Sequence, residues 1–350
     1  MTRSETDPVR QIVQTVLYEG YLLWPYRRSA LKNQKRWTFG GVHPRPYSVA
    51  RGEDDPWLRQ TQCLVEVEPG TTVDVEVRFL HIVRRDVARL RGSDLEPVPE
   101  LTVAGTRHLP WEESTEREIT LTGLELTALE KEPHRHPVDI PAGRDVEWLT
   151  DTSGARVGAL VRTWQSIAGE VEVRAEPVQP GLARLTVVVA NTTPWEGTNR
   201  DEALPRTMIS THVIATAAAG RFVSLLDPPP EFREAAEQCR NIGTWPVLVG
   251  VEGDRHRILS SPIILYDYPR IAPESPGDLF DATEIDQLLT LSTIALTEEE
   301  KQEARDTDPR AREIVDRCDA LTPEQLMRLH GAVREFRPIQ VQGGDRDRGR

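Results

Sequence analysis

The chain has 350 residues and a formal net charge of −13, from 43 lysines and arginines against 56 aspartates and glutamates. This length allows one large domain or two ordinary ones, with a core that needs no disulfide or metal staple. The negative field disfavours nonspecific binding to nucleic acid or an anionic membrane, and favours solubility or a basic partner.

Three cysteines, Cys63, Cys239 and Cys318, stand far apart and odd in number, so neither a disulfide framework nor a CxxC zinc site is expected. The opening MTRSETDPVRQ holds no apolar signal core, and nothing approaches the run of about 18 apolar residues that spans a bilayer. A soluble, cytoplasmic protein is expected.

The first predicted element is a helix over 8–22. Asp7 can cap it, and Pro8 suits the first helical position, where its missing N–H would have no partner anyway. Val9, Ile12, Val13, Val16 and Leu17 form one apolar stripe, and Trp24-Pro25 ends the helix. Residues 18–43 then crowd rings, cations, amides and the Gly40-Gly41 pair into one turn-rich arm.

From Gln60 the pattern alternates. Val65 and Val67 precede a Pro69-Gly70 turn; Val73, Val75, Val77 and Phe79 then share one face, with Asp74, Glu76 and Arg78 facing solvent on the other. Further strands are expected at 116–126, 159–167, 170–175, 183–190, 207–215 and 222–226, while 131–137 (KEPHRHP) reads as a loop. A short helix at 231–240, strands near 246–251 and 257–266, and a proline-rich connector over 267–280 follow. The period then becomes 3.6. Helices are expected at 281–292 (with Ile285, Leu288 and Leu289), after a Thr297/Glu300 capping box, after Asp308-Pro309, and after Thr322-Pro323 with Gln325.

The expected fold is therefore α+β. An N-terminal helix and aromatic-cationic arm (1–59) lead into a central antiparallel β-sandwich (60–270). A C-terminal helical region (271–338) and a tail disordered by composition (339–350) follow.

No complete catalytic constellation stands in the chain. Ser29-Ala30-Leu31-Lys32 matches the SxxK pattern of penicillin-recognising enzymes, but the companion KTG-type strand is missing. His134 and His136 form an H-x-H pair whose plainer reading is a polar turn, and no third metal ligand suggests itself. His43, His81, His108, His212, His256 and His330 are isolated, and the cysteines read as small buried hydrophobes. Gly40-Gly41 lacks the phosphate-binding helix of a nucleotide loop. Neither a catalytic residue, a metal site nor a cofactor is assigned.

The arm remains. Tyr26, Arg27, Arg28, Lys32, Asn33, Arg36, Trp37 and Phe39 are the candidate partner- or anion-binding residues. Trp, Tyr and Arg dominate protein hot spots, while guanidinium groups beside rings also suit anions. The plain alternative is that the arginines neutralise the chain's own carboxylates while the rings fill the core. Trp111, Trp164 and Trp195 are the rings to inspect for a carbohydrate-binding sandwich.

Four blocks, Leu17–Pro44, Ser210–Pro229, Asn241–Gly250 and Ser260–Ala311, carry a resemblance. Together they resemble an uncharacterised family encoded beside [NiFe]-hydrogenase genes of the actinobacterial type. The resemblance implies a non-enzymatic accessory or maturation-associated factor whose protein partner is a hydrogenase subunit or maturation protein. It carries over no catalytic residue. The rival expectation is a hydrolase or transferase holding an anionic small molecule with Arg27, Lys32 and Arg36.

Overall fold

The computed structural model describes residues 8–19, 21, 25–27, 29–30, 33, 36–37, 40–51, 55–197, 199–270 and 286–322. Its strands are β1 (Leu58–Arg91), β2 (Asp94–Val98), β3 (Leu101–Val103), β4 (Thr106–His108), β5 (Trp111–Glu125), β6 (His134–Ile140) and β7 (Gly143–Thr150). They continue as β8 (Arg156–Trp164), β9 (Ile167–Gln179), β10 (Leu182–Asn191), β11 (Ile209–Val223), β12 (Trp245–Leu248) and β13 (Arg257–Ser261). All ladders are antiparallel. Apart from the β3–β4 pair they belong to one 11-stranded sheet. The main helices are α1 (Pro8–Leu17), α2 (Arg45–Arg51), α3 (Asp286–Ile294), α4 (Glu298–Thr307) and α5 (Pro309–Asp319). No described helix is long and apolar enough to cross a membrane.

β1 is the spine. Its first part pairs with β10 (Leu58↔Ala190 to Glu66↔Leu182), and its later part pairs with β5 on Thr72↔Glu125 to Arg85↔Trp111. β11 runs beside both parts. Val73, Val75, Val77 and Phe79 are fully buried and meet Val171, Val173, Leu185 and Val187 of β9 and β10 in one aliphatic core. Alternation at period 2 places all of these on inward faces.

Pro69-Gly70 does not reverse the chain, contrary to expectation. Val67 pairs with Gly220 and Thr72 with Ala218, so residues 68–71 bulge out opposite Ala219 while the strand keeps its direction. Gly70 takes φ +82°, and the Thr71 hydroxyl accepts from the Glu68 amide at 2.9 Å, closing the bulge locally. The expected strands at 207–215 and 222–226 are likewise the two ends of one strand, β11. The segment 131–137, read as a loop, ends in β6, with His134 opposite Val173 and His136 opposite Val171. β2, β3, β4 and β7 were not expected; they are short or largely polar, with little apolar alternation to announce them. The helix expected over 231–240 is shorter, Arg233–Glu237 after a 3₁₀ turn, so Cys239 lies beyond it.

The expected solvent face of β1 is covered at Arg78, while Asp74 and Glu76 stay half-buried. Arg78 is 7% exposed and bonds Glu116 at 2.7 Å, while Gln14 and Tyr18, on and just after α1, bond the same carboxylate at 2.7 and 2.8 Å. Burial alone would raise the Glu116 pKa, but those hydrogen bonds and the Arg78 charge hold it below the usual carboxylate range. Val9, Val13 and Val16 of α1 pack on Ile214, Val247 and Leu259 of the sheet.

A second core lies further along β1. After a register shift between Arg78 and Leu80, Leu80 and Ile82 pack with Tyr21, Tyr26, Trp37 and Trp111, and with Ile314 and Val315 of α5. The arm is thus interleaved between sheet and C-terminal helices. The Thr297/Glu300 capping box of α4 and the Asp308 cap of α5 form as their sequences require. The start of the helix expected over 281–292 and the whole one expected after Thr322-Pro323 lie outside the described residues, as do the tail and most of the proline-rich connector.

Candidate functional site

Arg36 organises the arm. Its guanidinium lies 3.9 Å from the Trp111 ring centre, 4.6 Å from Trp37 and 5.6 Å from Tyr21. It donates to the Tyr21 carbonyl (3.1 Å) and the Glu112 carbonyl (2.6 Å). Burial lowers its pKa below the ordinary guanidinium value. A desolvated cation over a ring contributes about 2 kcal/mol, so three rings make this a strong internal anchor. Trp37 sits at φ +63° and Tyr26 at φ +59°, conformations that cost a non-glycine residue energy and persist because the packing around both holds them.

Asp308 anchors the same region from the helical side. One carboxylate oxygen accepts from the Tyr21 hydroxyl (2.7 Å) and the Trp111 indole N–H (3.1 Å); the other caps α5 through the Arg310 amide (2.8 Å). Burial, then the nearby Asp308 charge, push the Tyr21 phenol well above its ordinary pKa. Further contacts tie arm to α4: Arg27 pairs with Glu300 at 2.7 Å, and the Ser29 amide and hydroxyl donate to Glu303 at 3.0 and 3.1 Å. Arg85 reaches from β1 to the Thr307 carbonyl (3.0 Å) and pairs with Glu113 (2.6 Å).

Between these elements opens a cleft of about 1860 Å³. The arm contributes Ser29, Asn33, Arg36 and Trp37; β1 and the approach to β5 contribute Arg84, Arg85, Pro110 and Trp111; α4 contributes Glu299, Gln302, Glu303 and Asp306. Three of the candidate residues, Asn33, Arg36 and Trp37, therefore meet at one site, each under 5% exposed. Tyr26 is fully buried behind it, Arg27 is held by Glu300, and Arg28, Lys32 and Phe39 lie outside the described residues. The arm's described rings and Arg36 point inward, into the second core.

The sequence marks Asp308 as a helix start and Trp111 as a ring, and gives no local signal that the two meet. The acidic stripe of α4 was visible as the spacing Glu299, Glu303, Asp306, but its meaning depends on what faces it.

The other candidates have local explanations. Gly40 and Gly41 accept from the buried Arg59 guanidinium (3.3 and 3.4 Å), and a Cβ at Gly40 would meet Pro262 at 2.6 Å. Ser29 of the SxxK match is bonded to Glu303, and Lys32 lies outside the described residues. His212 has the spacing of a nucleophile–base pair, Nε2 to the Ser261 hydroxyl at 3.0 Å and Nδ1 to the Ser210 carbonyl at 2.6 Å. Both side chains are fully buried, and neither lines the cleft. Burial depresses His212, His81 and His43 to about 4, so all three are neutral near pH 7.

Among the described residues no group of three or more His, Cys, Asp or Glu side chains could hold a metal ion. Trp111 is 7% exposed and Arg206 covers Trp195 at 5.0 Å, while Trp164 donates to the Pro141 carbonyl at 3.1 Å. These rings do not form an open sugar platform. Neither a scan against protein-family models nor a search of curated proteins finds a match to this chain.

Proposed function

We propose that this protein is a non-enzymatic accessory or assembly factor that works by protein–protein contact, on a β-sandwich scaffold carrying the arm and helical unit. The observation that carries this reading is the open cleft, whose arginines are all engaged from within the chain. Arg36 is held by rings and carbonyls, Arg84 by Asp86 (3.1 Å), and Arg85 by Glu113. Arg107 is held by Glu100, and Arg200 by Asp55 at 3.7 Å. A catalytic anion site would present such groups unpaired to a substrate; here each already has a partner within the chain.

The partner assigned is a [NiFe]-hydrogenase subunit or maturation protein, on the strength of the four-block resemblance. Deleting the gene in a host that carries the hydrogenase tests this. The expected result is loss of active, fully assembled hydrogenase with its transcript retained. Unchanged activity and assembly would remove the hydrogenase from the proposal.

A further inference from the structure

Resting on that partner-binding reading, we infer that the cleft beside α4 receives a basic, arginine-bearing segment of the partner protein. Size argues for a polypeptide: pockets for small ligands run from about 300 to 1,000 Å³, and this cleft holds about 1860 Å³. Charge argues for the sign. The guanidinium groups of the walls are each paired, whereas among the described residues no cation bonds the carboxylates along one stripe of α4; Arg107, itself paired with Glu100, acts on Asp306 and Glu303 only through space.

The Glu299 carboxylate makes no hydrogen bond or ion pair among the described residues. Among the described residues the Asp306 carboxylate accepts only from the neutral Gln302 amide (2.8 Å), and the Glu303 carboxylate only from Ser29. Spacings of four and three residues place Glu299, Glu303 and Asp306 on one helical face, and the cleft shows that this face is the one it exposes. Asp201 adds a carboxylate from the other side, bonded to no cation among the described residues. The net charge of −13 reinforces the local field. Arginine suits the site better than lysine, because a planar guanidinium can take two carboxylate oxygens at once.

The test is fluorescence anisotropy with a labelled heptapeptide of alternating glycine and arginine, and with its glutamate counterpart. Proteins compared are wild type, Glu299→Lys/Asp306→Lys, and a control of equal charge change far from the cleft, Glu231→Lys/Glu234→Lys. The arginine peptide should bind wild type and control alike, and at least tenfold more weakly to the cleft variant. The glutamate peptide should bind wild type at least tenfold more weakly than the arginine peptide. Should the lysine variant misfold, Glu299→Gln/Asp306→Gln takes its place, with a loss of at least threefold expected.

Equal weakening in cleft variant and control would reduce the effect to bulk charge and overturn the inference. No arginine-peptide binding, or preference for the glutamate peptide, would overturn it as well. Pull-down separates it from the functional reading. A hydrogenase captured equally by wild type and the cleft variant refutes the cleft alone, while cleft-dependent peptide binding with hydrogenase assembly unaffected by deletion refutes the hydrogenase assignment alone.

Discussion

Two of the hydrophobic cores are built on different physics, and they share one strand. The sheet core is aliphatic: valines and leucines of β1, β9, β10 and β11 alternate inward and need no specific partner beyond shape. The second core is aromatic and charged, with Tyr21, Trp37 and Trp111 around a buried guanidinium and Asp308 bonding two of those rings. A core of the first kind tolerates exchange of one aliphatic residue for another. A core of the second kind depends on a few polar groups, each of which leaves others unsatisfied when removed.

Removing mass from the first core should have the largest effect. Phe79→Ala empties a fully buried position and should cost about 4 kcal/mol, with cooperative loss of both cores in urea unfolding. Retention of the sheet with loss of the helices alone would show that the cores are less coupled than a shared strand implies.

Asp308→Ala comes next, at about 3 kcal/mol, since it strips the Tyr21 and Trp111 bonds and the α5 cap together. Hydrogen exchange should rise in α4 and α5 while the β1–β10 ladder stays protected; uniform loss of protection would erase the distinction.

Acid should loosen both regions by a different route. His43, His81 and His212 have folded pKa values of about 4, below the ordinary 6.5, so the unfolded chain binds more protons between those values. Stability is then full above about pH 6.5 and lost as pH falls towards 4, by about 1.4 kcal/mol per pH unit for each histidine. His212→Asn should remove one such contribution from the pH dependence of thermal unfolding, and an unchanged slope would exclude it.

The smallest effect belongs to Thr297→Ala, which deletes the capping box of α4 and should cost about 1 kcal/mol, read as a small drop in the urea midpoint. A larger loss would mean that α4 supports the second core more than its Arg27 and Ser29 contacts suggest.

Legibility in sequence followed the same division. The odd-numbered residues from Val73 to Phe79 declare their buried face because strand alternation is a local property. The two helix caps were legible because Thr297 and Asp308 act within three residues of themselves. Pro69-Gly70 misled because a turn signal and a bulge signal use the same residue types; only pairing of β11 across it tells them apart. Arg78 read as exposed until α1 covered it.

Local chemistry by itself determined the inward valines of β1 and the caps that start α4 and α5. Only the tertiary structure decided that the arm's rings close over Arg36, and that α4 turns its carboxylates to an open cleft. The reason is distance: Tyr21 meets Asp308 across 287 residues, and no period or spacing within either segment encodes that meeting.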